Sequence, residues 1–296
     1  MPSQITSNKL RSLSLLFFFI FFICFLAYVY GEASGGQGFR YLPFGLGLSV
    51  LSAWAGYYYS DRITLAISRA HELKRVENPE IYQLVEKLCR SANLPVPHIY
   101  LIADKAPNAF ATGRNPEKAV LALTSGIIEK LSKTELEGVI AHELSHIKNY
   151  DIRIMTLAVV FAGIIALLSD WFLRFSFYSS RSRDSRGQSQ LQAFLIVIGL
   201  LLALLSPLIA LLLRLALSRR REFLADASAA MLTHCPEGLA SALEKISTYP
   251  KALQAANKAT AHLYIVNPLS HNFISKLFST HPPVVERVQA LRSMIG

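Results

Sequence analysis

The sequence predicts a mainly α integral membrane protein with four transmembrane helices and an α+β domain that carries a metal site. Three observations predict it. Charged residues make up only 17% of the 296-residue chain, against roughly 25% in an ordinary soluble domain, and the mean hydropathy is +0.34. Four apolar segments approach the ~20 residues that a helix needs to cross the hydrocarbon of a bilayer. Between the second and third of them lies the stretch HELSH, residues 142–146.

The first apolar segment is 13–30, centred on LLFFFIFFICFL. Lys9 and Arg11 precede it, as in a secretory signal, but its core is longer than a signal's and a second apolar segment follows almost at once, so it reads as a retained span. The second is 41–59, diluted by Gly45, Gly47, Ser49, Ser52 and Gly56; small residues at that spacing mark close helix packing. The third runs from about 155 to 172 and the fourth from 191 to about 217, separated by the polar loop SSRSRDSRGQSQ. Tyr28, Tyr30, Tyr57, Tyr58, Tyr59 and Trp171 sit at segment ends, as an interfacial aromatic belt does.

The remaining chain forms two polar pieces. In the first, Ile81, Leu84, Val85 and Leu88 predict a helix over 80–94. Short strands are expected at 97–102, 108–113 and 119–124, the last two flanking the turn-like GRNPEK. Ser132-Lys133-Thr134-Glu135 is a capping-box pattern, and Leu136, Val139, Ile140, Leu144 and Ile147 continue it as an apolar stripe. HELSH therefore lies on a helix.

The net charge of +10 would suggest nucleic acid in a soluble protein. Here Lys and Arg flank the spans instead, as cytoplasmic loops require, and no basic run is interleaved with aromatics, so no nucleic acid partner is expected. Cys24, Cys89 and Cys235 offer no CxxC spacing and no disulfide framework.

On a helix, His142 and His146 are one turn apart on one face, a spacing that lets two imidazoles hold one Zn2+ ion. Glu143 points about 100° round, close enough to take a proton from a water activated there. A catalytic site needs a third protein ligand and one open position. Glu222 and Asp226, in SRRREFLADASAA, share a helix face: Glu222 can bind the ion, and Asp226 can hold the far nitrogen of a ligand histidine. The competing explanation is an acid pair at a helix start, balanced by Arg219, Arg220 and Arg221. Topology favours the site, because the two spans between His142 and Glu222 return the chain to the same side of the membrane. Lys9 and Arg11, the basic residues after the second span, and Arg219–Arg221 place that side in the cytoplasm; Arg174, Arg181, Arg183 and Arg186 disagree. A hairpin of spans three and four that does not fully cross would keep the same arrangement.

Four blocks, NAFATGRNPEKAVLALT (108–124), VIAHELSHIKNYD (139–151), SRRREFLADASAA (218–230) and LFSTHPPVVERVQAL (277–291), resemble, in order, the HtpX-type membrane zinc metalloproteases, relatives of the CAAX prenyl endopeptidases. The resemblance covers nearly the whole chain. It implies a cytoplasmic gluzincin-like zinc peptidase domain with one Zn2+ per subunit, Glu222 as third ligand and Asp226 behind a ligand histidine. It implies quality control of misfolded or damaged membrane proteins in the bacterial inner membrane under stress. Asn108 corresponds to a strand beside the cleft that an extended substrate could join, His281 to a histidine suited to an oxyanion, and Arg287 to an arginine able to pair with Asp226. The expected division is a cytoplasmic N-terminus (1–12), two membrane helices with a short external loop (13–59), a first catalytic part with the HExxH helix (60–154), a membrane hairpin (155–217) and a second catalytic part (218–296). The expected partners are membrane-protein substrates and the lipid bilayer. A CAAX-type processing peptidase, and a membrane scaffold with a structural zinc, are the alternatives.

Overall fold

The computed structural model describes residues 2–33, 36–179, 219–250, 253, 260–261, 263–266 and 282–294. Two long helices open it, α1 (Pro2–Ala33) and α2 (Gly38–Ile67), followed by β1 (Ala70–Glu72) and α3 (Pro79–Ala92). Then come β2 (His98–Ile102), β3 (Ala109–Thr112), a short 3-10 turn (Pro116–Lys118), β4 (Val120–Thr124), α4 (Ser125–Lys130), α5 (Lys133–Lys148) and α6 (Asp151–Ser179). After the undescribed stretch come α7 (Arg219–Thr233), α8 (Pro236–Ser247) and α9 (Val284–Arg292).

Among the described residues one helical segment, Gln4–Glu32, is long and apolar enough to cross a membrane by length and composition. Helix α2 is of similar length, but its glycines, serines and three consecutive tyrosines dilute it. Its buried positions Gly45, Ser49, Ala53, Gly56, Ser60 and Thr64 recur every three or four residues and form one small-residue face. A Cβ on Gly45 would stand 2.5 Å from Ala27 Cβ of α1, and one on Gly56 would stand 3.1 Å from Val160 Cγ1 of α6. The opposite face of α2 exposes Phe39, Phe44, Leu46, Leu51 and Trp54. Phe19 of α1 stacks on Phe161 of α6, with ring centroids 4.1 Å apart, so the three long helices form one bundle. The segment expected as span four, 191–217, lies outside the described residues.

The segment expected as span three behaves differently at its start. Helix α6 begins at Asp151, four residues before the expected apolar segment. Its first turns are wrapped by protein: Ile152, Ile154, Met155, Leu157, Ala158 and Val159 are all buried. Only Asn149 and Tyr150 separate α5 from α6, and Tyr150 makes the corner with φ of 60°.

The sheet has the order β1-β2-β4-β3, with β2 and β4 parallel and both outer pairs antiparallel. Strand β1 had no signal in the sequence, since Ala-His-Glu has neither alternation nor a β-branched residue. Strand β3 lies at the edge and packs on α5. The capping box at Ser132 and Glu135 forms as expected. Helix α5 has more than an apolar stripe. Every residue from Gly138 to Ile147 is buried, because α3, β3, α7 and α8 surround it. Gly138 of α5 and Gly238 of α8 make the closest crossing. A Cβ on Gly138 would meet Leu239 N at 2.8 Å, and one on Gly238 would meet Thr134 O at 2.8 Å.

Candidate metal centre

Helix α5 presents His142 and His146 one turn apart, with their rings edge to face and their centroids 4.7 Å apart. Their Nε2 atoms point at one another across 3.1 Å. Helix α7 brings Glu222 to the same point: Oε2 lies 3.7 Å from His142 Nε2, and Oε1 lies 3.6 Å from His146 Nε2. The approach is close because Ala225 and Ala229, on the same face of α7 as Glu222 and Asp226, are buried in the shared interface. One ligand atom from each of the three residues falls within 4.8 Å of the others, and all three side chains are buried.

The donor set fits zinc. Tetrahedral zinc with imidazole and carboxylate ligands near 2.0–2.2 Å sets neighbouring ligand atoms on the order of 3–3.5 Å apart. The observed separations of 3.1, 3.6 and 3.7 Å lie within and slightly above that range. Three protein ligands leave a fourth position open, as a catalytic zinc requires. Among the described residues no cysteine belongs to this cluster, whereas closed structural sites are rich in cysteine.

Each histidine is held from behind by its own carboxylate. His142 Nδ1 sits 2.9 Å from Asp226 Oδ1, and His146 Nδ1 sits 3.2 Å from Asp151 Oδ2. With Nδ1–H donating to the carboxylate, each Nε2 lone pair faces the meeting point. Burial, reinforced by Arg287 and His146, holds His142 down to about 4 against the pull of Asp226. Burial acts the same way on His146, but Asp151, Glu222 and Glu143 together outweigh it and push His146 up to about 9. Asp151, Glu222 and Glu143 thus surround the meeting point of the Nε2 atoms with negative charge, as a cation site requires.

Asp226 is in turn clamped by Arg287. Nε donates to Oδ2 at 2.8 Å and the second guanidinium nitrogen to Oδ1 at 2.6 Å. Burial would raise the Asp226 carboxyl, but Arg287 and His142 hold it down to about 2. Arg287 also donates to Ile265 O at 2.9 Å. Its guanidinium lies 3.5 Å from the ring nitrogens of His142, too long to compete with the 2.9 Å contact to Asp226.

Glu143 is buried beside the two histidines, and its charge acts on both His146 and Arg287. Asn108 precedes the edge strand β3 and is almost wholly buried. Its Nδ2 donates to Val266 O at 2.9 Å, and Ile265 N donates to Ala109 O at 3.0 Å. A piece of the chain's own backbone thus lies along the start of that edge. His281 lies outside the described residues.

Asp151 is the residue that sequence reasoning did not single out, although it ends the block VIAHELSHIKNYD. A carboxylate five residues after a ligand histidine, past a two-residue corner, was the available signal. Asp151 Oδ1 also accepts from Asn8 Nδ2 at 2.7 Å and from Arg221 at 3.3 Å. Asn8, 143 residues away on α1, has no sequence signal of its own.

Residues 75–295 match the family described as Peptidase family M48. The chain is similar to the Protease HtpX homolog of Dictyoglomus turgidum, 46% identical over 294 residues, covering 98% of this chain and 93% of that one. It is likewise similar to the Protease HtpX homolog of Tropheryma whipplei strain Twist, 41% identical over 302 residues, covering 99% and 98%. Among solved structures, the crystal structure of S. mikatae Ste24p resembles it in fold, with a TM-score of 0.50, 20% identity, and coverage of 98% of this chain and 67% of that one.

Proposed function

The chain belongs to peptidase family M48 and is a membrane-bound metalloprotease; from that premise we propose that it is a zinc endopeptidase that hydrolyses misfolded or damaged membrane proteins at the cytoplasmic face of a bacterial inner membrane. The observation that carries the reading is the convergence of His142, His146 and Glu222 on one buried point, next to Glu143.

His142, His146 and Glu222 would hold the metal. A zinc ion bound there supplies Lewis acidity toward the scissile carbonyl and makes water a stronger acid. Asp226 and Asp151 fix the tautomers of the two histidines, so that neither ring can turn its proton toward the site. The Glu143 carboxylate accepts a proton from the attacking water and returns it to the leaving amide nitrogen. Arg287 keeps Asp226 ionised and immobile. His281 is the candidate donor to the oxyanion, on the strength of the family block alone.

An extended substrate adding to the edge strand β3 would first meet Asn108 and Ala109. Those residues already bond Val266 and Ile265, so pairing at that end requires displacing two hydrogen bonds. The membrane reading rests on α1, which is long and apolar enough to cross. The four-span arrangement rests on the four apolar segments of the sequence, and the cytoplasmic site on the basic residues at the span ends. Only two residues separate α5 from α6, which keeps the cleft close to the long-helix bundle and favours substrates presented at the membrane surface.

The test compares full-length wild type and Glu143→Gln in detergent, assayed on casein and on an unfolded membrane protein. The variant is expected to keep its metal and its melting temperature and to lose about 10²- to 10⁴-fold in cleavage rate. Cleavage by the purified variant at the wild-type rate would falsify the assignment.

A further inference from the structure

Helix α1 continues for about three turns below its apolar run, and those turns are polar. Gln4, Ser7, Asn8 and Arg11 form one face of that extension. With Asn149, Asp151, Arg220, Arg221 and Leu224 they line a pocket of about 310 Å³. The pocket is separate from the metal centre but shares Asp151 with it.

The charge of this pocket is unbalanced. Three guanidiniums, Arg11, Arg220 and Arg221, face a single carboxylate, Asp151, which leaves two positive charges in excess. That carboxylate is already engaged by His146, Asn8 and Arg221. Arg11 and Arg220 are exposed. Neutral donors complete the lining: Gln4, Ser7 and Asn149 carry amide and hydroxyl groups. Guanidinium forks with neutral donors beside them are the chemistry that recognises a phosphate group.

Position supplies a second argument. Arg11 lies two residues before the apolar run that starts at Leu13, about 3 Å along a helix axis. If α1 crosses the membrane there, the pocket opens at the depth of the lipid phosphates, where basic residues meet anionic headgroups.

We propose that the pocket between the polar start of α1 and the start of α7 binds a phosphate group, with Arg11, Arg220 and Arg221 as its cationic donors. The phosphate is that of an anionic phospholipid headgroup or of a soluble phosphate. The placement at headgroup depth rests on the reading of α1 as a span; the phosphate chemistry does not.

Native mass spectrometry of the full-length, metal-loaded protein in neutral detergent tests this. The probes are short-chain phosphatidylglycerol, diacylglycerol with the same tails, and inorganic phosphate. The expected result is one phosphatidylglycerol retained per chain, little diacylglycerol, and binding weakened on the order of tenfold by Arg11→Gln combined with Arg220→Gln. Both arginines are exposed, so metal content and melting temperature without ligand should stay at wild-type values. If inorganic phosphate raises the melting temperature of wild type but not of the double variant, and phosphatidylglycerol is not retained, the phosphate site stands and its place at headgroup depth fails. Equal retention of phosphatidylglycerol and diacylglycerol with no effect of phosphate overturns the proposal. So does a double variant that binds like wild type.

Discussion

Arg287 and Asp226, 61 residues apart and both fully enclosed, are joined by two hydrogen bonds of 2.8 and 2.6 Å. Asp226 passes that constraint to His142 at 2.9 Å. An arginine on the last described helix thus sets the orientation of a histidine on the central one. The fork of the guanidinium matters, because it fixes the carboxylate plane as well as its charge.

Replacing Arg287 should therefore act on both stability and metal binding. Arg287→Ala leaves a buried carboxylate without its cation and should cost about 3–5 kcal/mol. Arg287→Lys keeps the charge but loses one of the two parallel bonds, so it should recover only part of the loss. Chemical denaturation and metal analysis of the two variants check this; full recovery by lysine would mean that charge alone is what Asp226 needs.

Asp151 should behave as a supporting residue of the metal centre. Asp151→Ala is expected to weaken metal affinity about 10- to 100-fold, measured by competition with a chelator. Asn8→Ala should weaken it less, because Asn8 reaches His146 only through Asp151. A metal affinity unchanged in Asp151→Ala would show that the contact to His146 is incidental.

The α5–α8 crossing makes a packing prediction. Any side chain at Gly138 meets the backbone of Leu239, which cannot rotate away. Gly138→Val should destabilise the protein by about 1–3 kcal/mol, and the displacement of α5 should lower metal content too. A thermal melt at wild-type temperature would show that the two helices separate at little cost.

Glu135 makes a pH prediction. Burial would raise its carboxyl, but Lys245, Ser241 and the Ser132 amide hold it below its ordinary value. Ser241 Oγ donates to it at 2.6 Å and Lys245 at 2.8 Å. A carboxyl depressed by folding contributes stability above its unfolded value of about 4.5, and that stability fades as the pH falls through the folded value. Wild type should therefore lose more stability than Glu135→Gln on going from neutral pH to below 4.5. Parallel loss in the two proteins would remove Glu135 from the account.

How far the sequence reaches can be read from particular elements. The pairing of His142 with His146 was legible because helical periodicity is local: residues four apart must share a face. The capping box at Ser132 and Glu135 is local for the same reason. Strands β2, β3 and β4 announced themselves by composition and flanking turns, while the three residues of β1 did not. The small-residue face of α2 was visible as spacing, but its partners α1 and α6 were not.

By itself, then, the sequence determined the helix that carries the two histidines, the apolar runs, and the candidate acids on α7. These are properties of neighbours along the chain. Tertiary structure decided which groups meet. It set Glu222 against both Nε2 atoms, gave Asp226 to His142, and brought Asn8 of α1 to Asp151. It also enclosed every residue of α5 from Gly138 to Ile147, where the periodicity alone showed a stripe. The reason is that a side chain's partner across 60 to 140 residues depends on how whole helices pack. Packing is set by shape, burial and the satisfaction of buried polar groups, none of which leaves a fixed spacing in the chain.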